Sequence, residues 1–162
     1  MEPLSIISAV ASISKTIYNA SSTLYTFVNE TRNVDQTVKD LATEVDALSR
    51  ALTEVEAALK SPTVVAAEKR GSVDDNKQLW QTVYGALEDC QITVVRIDSA
   101  LDGIRKKRSN WATQAFRQVK LNLGKDEINS LRVQTHTHCS ALKMALQMVN
   151  MFVSSSHVLF GI

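Results

Sequence analysis

The sequence predicts an all-α fold, an antiparallel helical bundle of four long helices plus one short helix, and three observations carry that prediction. Glycine and proline together supply seven of the 162 residues, about 4% against roughly 12% in average proteins. That is too few for the many tight turns of a β-sandwich or an α/β fold. Apolar residues recur at alternating steps of three and four along four separate stretches, which is the spacing of one helix face. Hydrophobic residues make up 44% and charged residues 22%, enough apolar material to bury a core. By length this is one domain, with residues 1–153 as the bundle and 154–162 as a tail or the start of a linker.

The first helix is expected over residues 3–29. Ile6, Val10, Ile13, Ile17, Ala20, Leu24 and Phe27 form its stripe, and Ile7, Ala11, Tyr18, Tyr25 and Val28 widen it. Pro3 suits a first turn, where its missing N–H costs nothing. The second helix, over 33–60, carries the most regular pattern, with Val34, Val38, Leu41, Val45, Leu48, Leu52, Val55 and Leu59 in strict alternation. Asn33 is the expected N-cap, and Ser61-Pro62 the stop, since proline disfavours helical geometry in the residue before it. Residues 61–72 read as a loop. A third long helix starts at Ser72, buries Leu79, Val83, Ala86, Cys90, Val94, Ile97, Leu101 and Ile104, and ends at Arg105-Lys106-Lys107-Arg108, cations that suit a helix C-terminus. A short helix is expected from Trp111 to about Leu123. The last runs from about Asp126 to Val153 on the stripe Ile128, Leu131, Thr135, His138, Leu142, Ala145, Val149 and Phe152.

No catalytic, cofactor-binding or metal-ligating set is expected. The glycines never approach a phosphate-cradling spacing, and no serine sits in a nucleophile elbow. His136 and His138 point about 200° apart on a helix and cannot bite one ion; His136 and Cys139, at i and i+3, could, but two ligands are too few for a structural zinc, and His138 reads as a buried, hydrogen-bonded core histidine. Met144, Met148 and Met151 read as adaptable core packing. Cys90 and Cys139 make no disulfide framework, which fits a reducing compartment. With a net charge of +1 the chain is no uniformly basic nucleic-acid binder, and neither nucleic acid nor a small-molecule substrate is expected as a partner. No basic leader and no continuous apolar span is present, so the chain is expected in the cytoplasm, with membrane association on activation.

Charge is segregated along the chain. Residues 103–125 hold seven cations (Arg105, Lys106, Lys107, Arg108, Arg117, Lys120 and Lys125) and no acid, whereas residues 31–90 hold seven cations and eleven acids. Each basic residue near an anionic leaflet contributes about 1 kcal/mol, so this block is the candidate patch for anionic lipid or a partner. The first helix carries a single charge, Lys15, between Glu2 and Glu30. Its Ser/Thr face would need helix partners or a water-lined pore inside a bilayer.

The opening Met1-Glu2-Pro3-Leu4-Ser5-Ile6 with its Ser/Ala/Ile helix resembles the start of many fungal NLR-like (STAND) proteins. So does Lys125-Asp126-Glu127-Ile128 with Leu131, His138, Leu142 and Ala145-Leu146-Gln147 after a Trp111-bearing segment. Together they resemble the fungal Helo-like N-terminal domain, a family also named after the N-terminal region of azaphilone pigment cluster protein L. The resemblance implies a helical bundle ahead of a nucleotide-binding oligomerisation domain, in a family whose HeLo relatives trigger cell death by membrane permeabilisation. Carried over by position, membrane insertion would fall on Leu4, Ile6, Ile7, Val10, Ile13 and Ile17. This first helix carries serine, and no glycine, where membrane-active relatives often have Gly and Ala. Two functions are therefore expected as alternatives. One is an oligomerising, membrane-perturbing effector domain acting through the first helix. The other is a helical interaction or self-association adaptor, whose partners are further copies or an NLR-like partner domain.

Overall fold

A computed structural model describes the backbone of residues 3–31, 33–70, 73–109 and 123–159. Every element among them is helical: α1 (Pro3–Glu30), α2 (Gln36–Leu59), α3 (Pro62–Arg70), α4 (Val73–Ser109) and α5 (Lys125–Leu159). The short helix expected at Trp111–Leu123 falls almost wholly outside the described residues.

Periodicity located the core well. All seven stripe residues of α1 are buried, as are Val38 through Leu59 on the α2 stripe. On α4, Leu87 takes the buried place expected of Ala86, which is only partly buried. Thr135 lies fully buried in the α5 stripe, and its hydroxyl donates to the Leu131 carbonyl at 2.7 Å, so the polar atom is not orphaned.

The helix ends differ from expectation in three places. Asp35, rather than Asn33, caps α2: its carboxylate accepts from the Thr37 N–H at 2.9 Å and the Thr37 hydroxyl at 2.7 Å. Asn33 instead takes a left-handed turn conformation at φ 56°, which asparagine tolerates better than most residues. Residues 62–70, expected as loop, form α3. Pro62 stops α2 and also occupies the first position of the next helix, where it is favoured, while Ser61 Oγ accepts from the Val64 N–H at 3.3 Å. Finally, α5 continues past Val153 to Leu159; the Ser154 hydroxyl bonds back to the Asn150 carbonyl at 3.0 Å and so fits within a helix.

The four long helices close a ring in which α1 packs on α2 and α4, and α5 on α2 and α4, while α3 packs chiefly on α5. Their directions follow from cross-helix pairs. Trp80–Phe152 and Thr93–His138 descend α5 as they climb α4, so that pair is antiparallel, as is the α1–α2 hairpin with its five-residue connection. Arg132 lies 3.7 Å from Asp40 and His136 lies 3.2 Å from Glu44. Both numbers rise by four, so α2 and α5 run parallel, against the expectation of antiparallel packing throughout. The cause is the connection after α2: α3 carries the chain across the bundle end, so that α4 packs chiefly against α1 and α5.

A small polar network pins α4 to α5. Thr93 Oγ1 lies 2.8 Å from His138 Nε2 and 3.4 Å from Gln134 Oε1, and Arg96 donates to the same oxygen at 3.2 Å. Burial holds the half-buried His138 imidazole below its ordinary range, with the Asp89 carboxylate pulling weakly the other way. Above about pH 6.5 His138 is neutral whether folded or unfolded. As pH falls below that value the unfolded chain takes the proton first, so folding stability declines. The thermal midpoint is therefore expected to fall on acidification from neutral pH, and His138→Gln to flatten that slope; an unchanged slope would assign the dependence to another group. Separately, a Cβ built on Gly85 meets nothing within 4 Å. Gly85→Ala is expected to raise the urea midpoint, stabilising α4 by about 0.5–1 kcal/mol through helix propensity.

Candidate functional site

The helix proposed for membrane insertion has its apolar stripe fully engaged. Ile6, Val10, Ile13 and Ile17 are buried in the common core and Ile7 is half-buried against it, while the Leu4 side chain lies outside the described residues. Among the described residues, no helix is long and apolar enough to cross a membrane.

The basic block is described only in part. Arg105 does not reach into solvent as a patch cation: its Nη1 sits 2.6 Å from Asp98 and 3.7 Å from Asp102, and its Nε donates to Thr23 Oγ1 on α1 at 3.2 Å. One guanidinium thus ties α4 to α1, and its Nη2 is buried without a partner among the described residues. Lys106 and Lys125 are exposed; the hydrogen bonds from the Thr37 N–H and hydroxyl, with a smaller pull from the Lys125 charge, hold the Asp35 carboxyl below its usual range. The side chains of Lys107, Arg108, Arg117 and Lys120 lie outside the described residues.

Both histidines of the rejected metal motif have protein partners, Glu44 for His136 and Thr93 for His138. Among the described residues no group of three or more His, Cys, Asp or Glu side chains could hold a metal ion. Cys90 and Cys139 are free and buried. Burial, with a smaller contribution from Cys139, pushes the Cys90 thiol up to about 12, so it is protonated at neutral pH and a poor nucleophile.

The outer face of α1 offers more. Tyr18 and Tyr25, read from sequence as widening the buried stripe, are 68% and 71% exposed. Each lies one residue beyond a core position, Ile17 and Leu24, and one residue turns a helix by about 100°. That rotation takes the rings off the core and onto the rim of an open groove between α1 and α2. The groove has a volume of about 660 Å³ and is walled by Tyr18, Ser22 and Tyr25 on one side and by Lys39, Asp46 and Arg50 on the other. Two exposed tyrosines two turns apart form the kind of surface that other proteins engage, because each ring offers apolar area at little entropic cost and a hydroxyl for hydrogen bonding. The signal was present in the sequence as a Tyr-x-x-x-Ser-x-x-Tyr spacing beside the core stripe. The methionines err in the same direction: Met144 and Met151 are exposed, and Met148 alone of the three packs partly against the core.

No curated protein matches the chain significantly, and no solved structure does so. The sequence does match, over residues 1–159, the family described as pigment biosynthesis cluster protein PigL N-terminal. A helical chain matched along nearly its whole length in this way belongs to the PigL N-terminal family.

Proposed function

We propose that the chain is a signalling module of the kind found at the N-terminus of NLR-like proteins, and that it works in its folded state by presenting helix surfaces to other helices. The observation that carries this reading is the two-sidedness of α1. Its inner stripe is sealed in the core, while its outer side carries two largely exposed tyrosines on a groove. In this role the chain binds and does no chemistry, takes no cofactor, and operates in the cytoplasm. A second reading has a specific observation in its favour: with Lys15 its one charge between Glu2 and Glu30, α1 is unusually cheap to place near lipid. Released from the bundle, it would insert as an oligomer and perturb an anionic membrane, with the basic residues from Lys106 to Lys125 at the headgroups.

Hydrogen exchange read in the presence of anionic vesicles separates the two. The folded-state reading expects α1 amides to stay as protected as those of α2, and an entrapped dye to be retained at the level of buffer alone. Dye release together with lost α1 protection would overturn it. That result would be tied to α1 if Ile6→Asp, Val10→Asp and Ile13→Asp abolished release in protein whose circular dichroism remained helical.

A further inference from the structure

We propose that folded copies of this chain join head to tail, the outward stripe of α4 on one copy seating in the α1–α2 groove of the next. The inference rests on the interaction-module reading and names the partner as a second copy of the same chain.

The α4 stripe is Glu88, Ile92, Val95, Ser99 and Asp102. These positions follow steps of four and three, so they share one face, and all five are exposed. Ile92 and Val95, at 64% and 53% exposure, form an aliphatic pair bracketed by acids. Glu88 lies one turn before the pair, and Asp102, which also lies 3.7 Å from Arg105, two turns beyond it. Asp89 adds a further exposed acid at the Glu88 end.

The α1–α2 groove has the opposite character. Tyr18 and Tyr25 stand seven residues apart, about 10 Å along the helix at 1.5 Å per residue. Ile92 and Val95 span about 4.5 Å on the same scale, so both fit between the rings. Exposed Lys15 lies one turn before Tyr18, and exposed Lys39 stands on the α2 wall. The Arg50 guanidinium there is paired with Asp46 at 2.8 Å, which leaves the lysines as the charges for an incoming acid. Aliphatic side chains between aromatic rings with acids opposite lysines reproduce helix-in-groove recognition, in which apolar anchors give affinity and flanking charges give orientation.

The groove lies where α1 meets α2, and α4 packs on α1 as well, so groove and stripe are different surfaces of one bundle. A contact between them is heterologous. A joined pair keeps one open groove on one copy and one open stripe on the other, so assembly continues into a ring or a filament rather than stopping at a symmetric dimer.

Sedimentation velocity on the full chain tests this. The expected result for the wild type is a weight-average mass that rises with concentration and falls with added salt. The groove variant Tyr18→Asp/Tyr25→Asp and the stripe variant Ile92→Asp/Val95→Asp change exposed residues, and each is expected to remain helical by circular dichroism and to sediment as a monomer. Mixed in equal amounts, the two are expected to give a species of roughly doubled mass that grows no further, because one intact groove meets one intact stripe. Lys39→Glu and Glu88→Lys repeat the test by charge alone: each change is expected to weaken assembly while leaving the monomer helical. A wild type that stays monomeric overturns the proposal, and so does a mixture that stays monomeric while the wild type assembles. Neither outcome touches the folded-state reading, which stands or falls on α1 protection at vesicles.

Discussion

The bundle depends on the burial of one stripe of α1. Seven residues from Ile6 to Phe27 are at most 3% exposed, and they face α2 on one side and α4 on the other. At about 1.5–3 kcal/mol for each large aliphatic side chain, discounted for residual compactness of the unfolded chain, the stripe contributes on the order of 10 kcal/mol. That is comparable to the whole stability of an ordinary domain, about 5–15 kcal/mol. Detaching α1 therefore costs about as much as unfolding, unless the detached helix gains an equal amount elsewhere. The same stripe also fixes which side of α1 looks outward, and so sets the position of Tyr18 and Tyr25.

Around that core, polar contacts set register more than they add stability. The Asp40–Arg132 ion pair and the Glu44–His136 hydrogen bond join α2 to α5 near the surface, where an ion pair such as Asp40–Arg132 contributes about 0–1 kcal/mol. Their value lies in geometry: a slip of α5 by one turn would break both. The Thr93–Gln134–His138 network does the same for α4 and α5, and because Thr93 is buried, a slip there would also strand a hydroxyl. Arg105 belongs with these groups, since its hydrogen bond to Thr23 aligns α4 with α1, while Asp98 on the same helix as Arg105 holds the guanidinium in place.

The four long helices were legible because each must keep one apolar face inward, and that requirement writes itself into the sequence at steps of three and four. Val38 to Leu59 and Ile128 to Val149 could be placed in the core residue by residue, His138 excepted as half-buried. Direction was not legible, since a stripe reads the same whichever way the neighbouring helix runs; the parallel α2–α5 contact emerges only from pairs such as Glu44 and His136. Proline was read as a stop after α2, but its fixed φ also starts a helix, which hid α3. At the candidate site the error was angular. Tyr18, Tyr25, Met144 and Met151 are apolar enough to be drawn into a face, yet each sits just past the rim of the buried arc. The basic block illustrates a different limit. Charge counts along a chain do not show that Arg105 folds back onto Asp98.

The parallel run of α2 and α5 has a consequence for the ends of the chain. Since α1 is antiparallel to α2, and α5 parallel to it, the first turn of α1 and the last turn of α5 emerge at the same pole of the bundle, beside α3 and the start of α4. The turn at 31–35 lies at the other pole. The order of the helices along the chain is thus separable from their arrangement in space. A circularly permuted chain, with the α5 end linked to the α1 start and the backbone opened at 31–35, keeps every helix contact of the original.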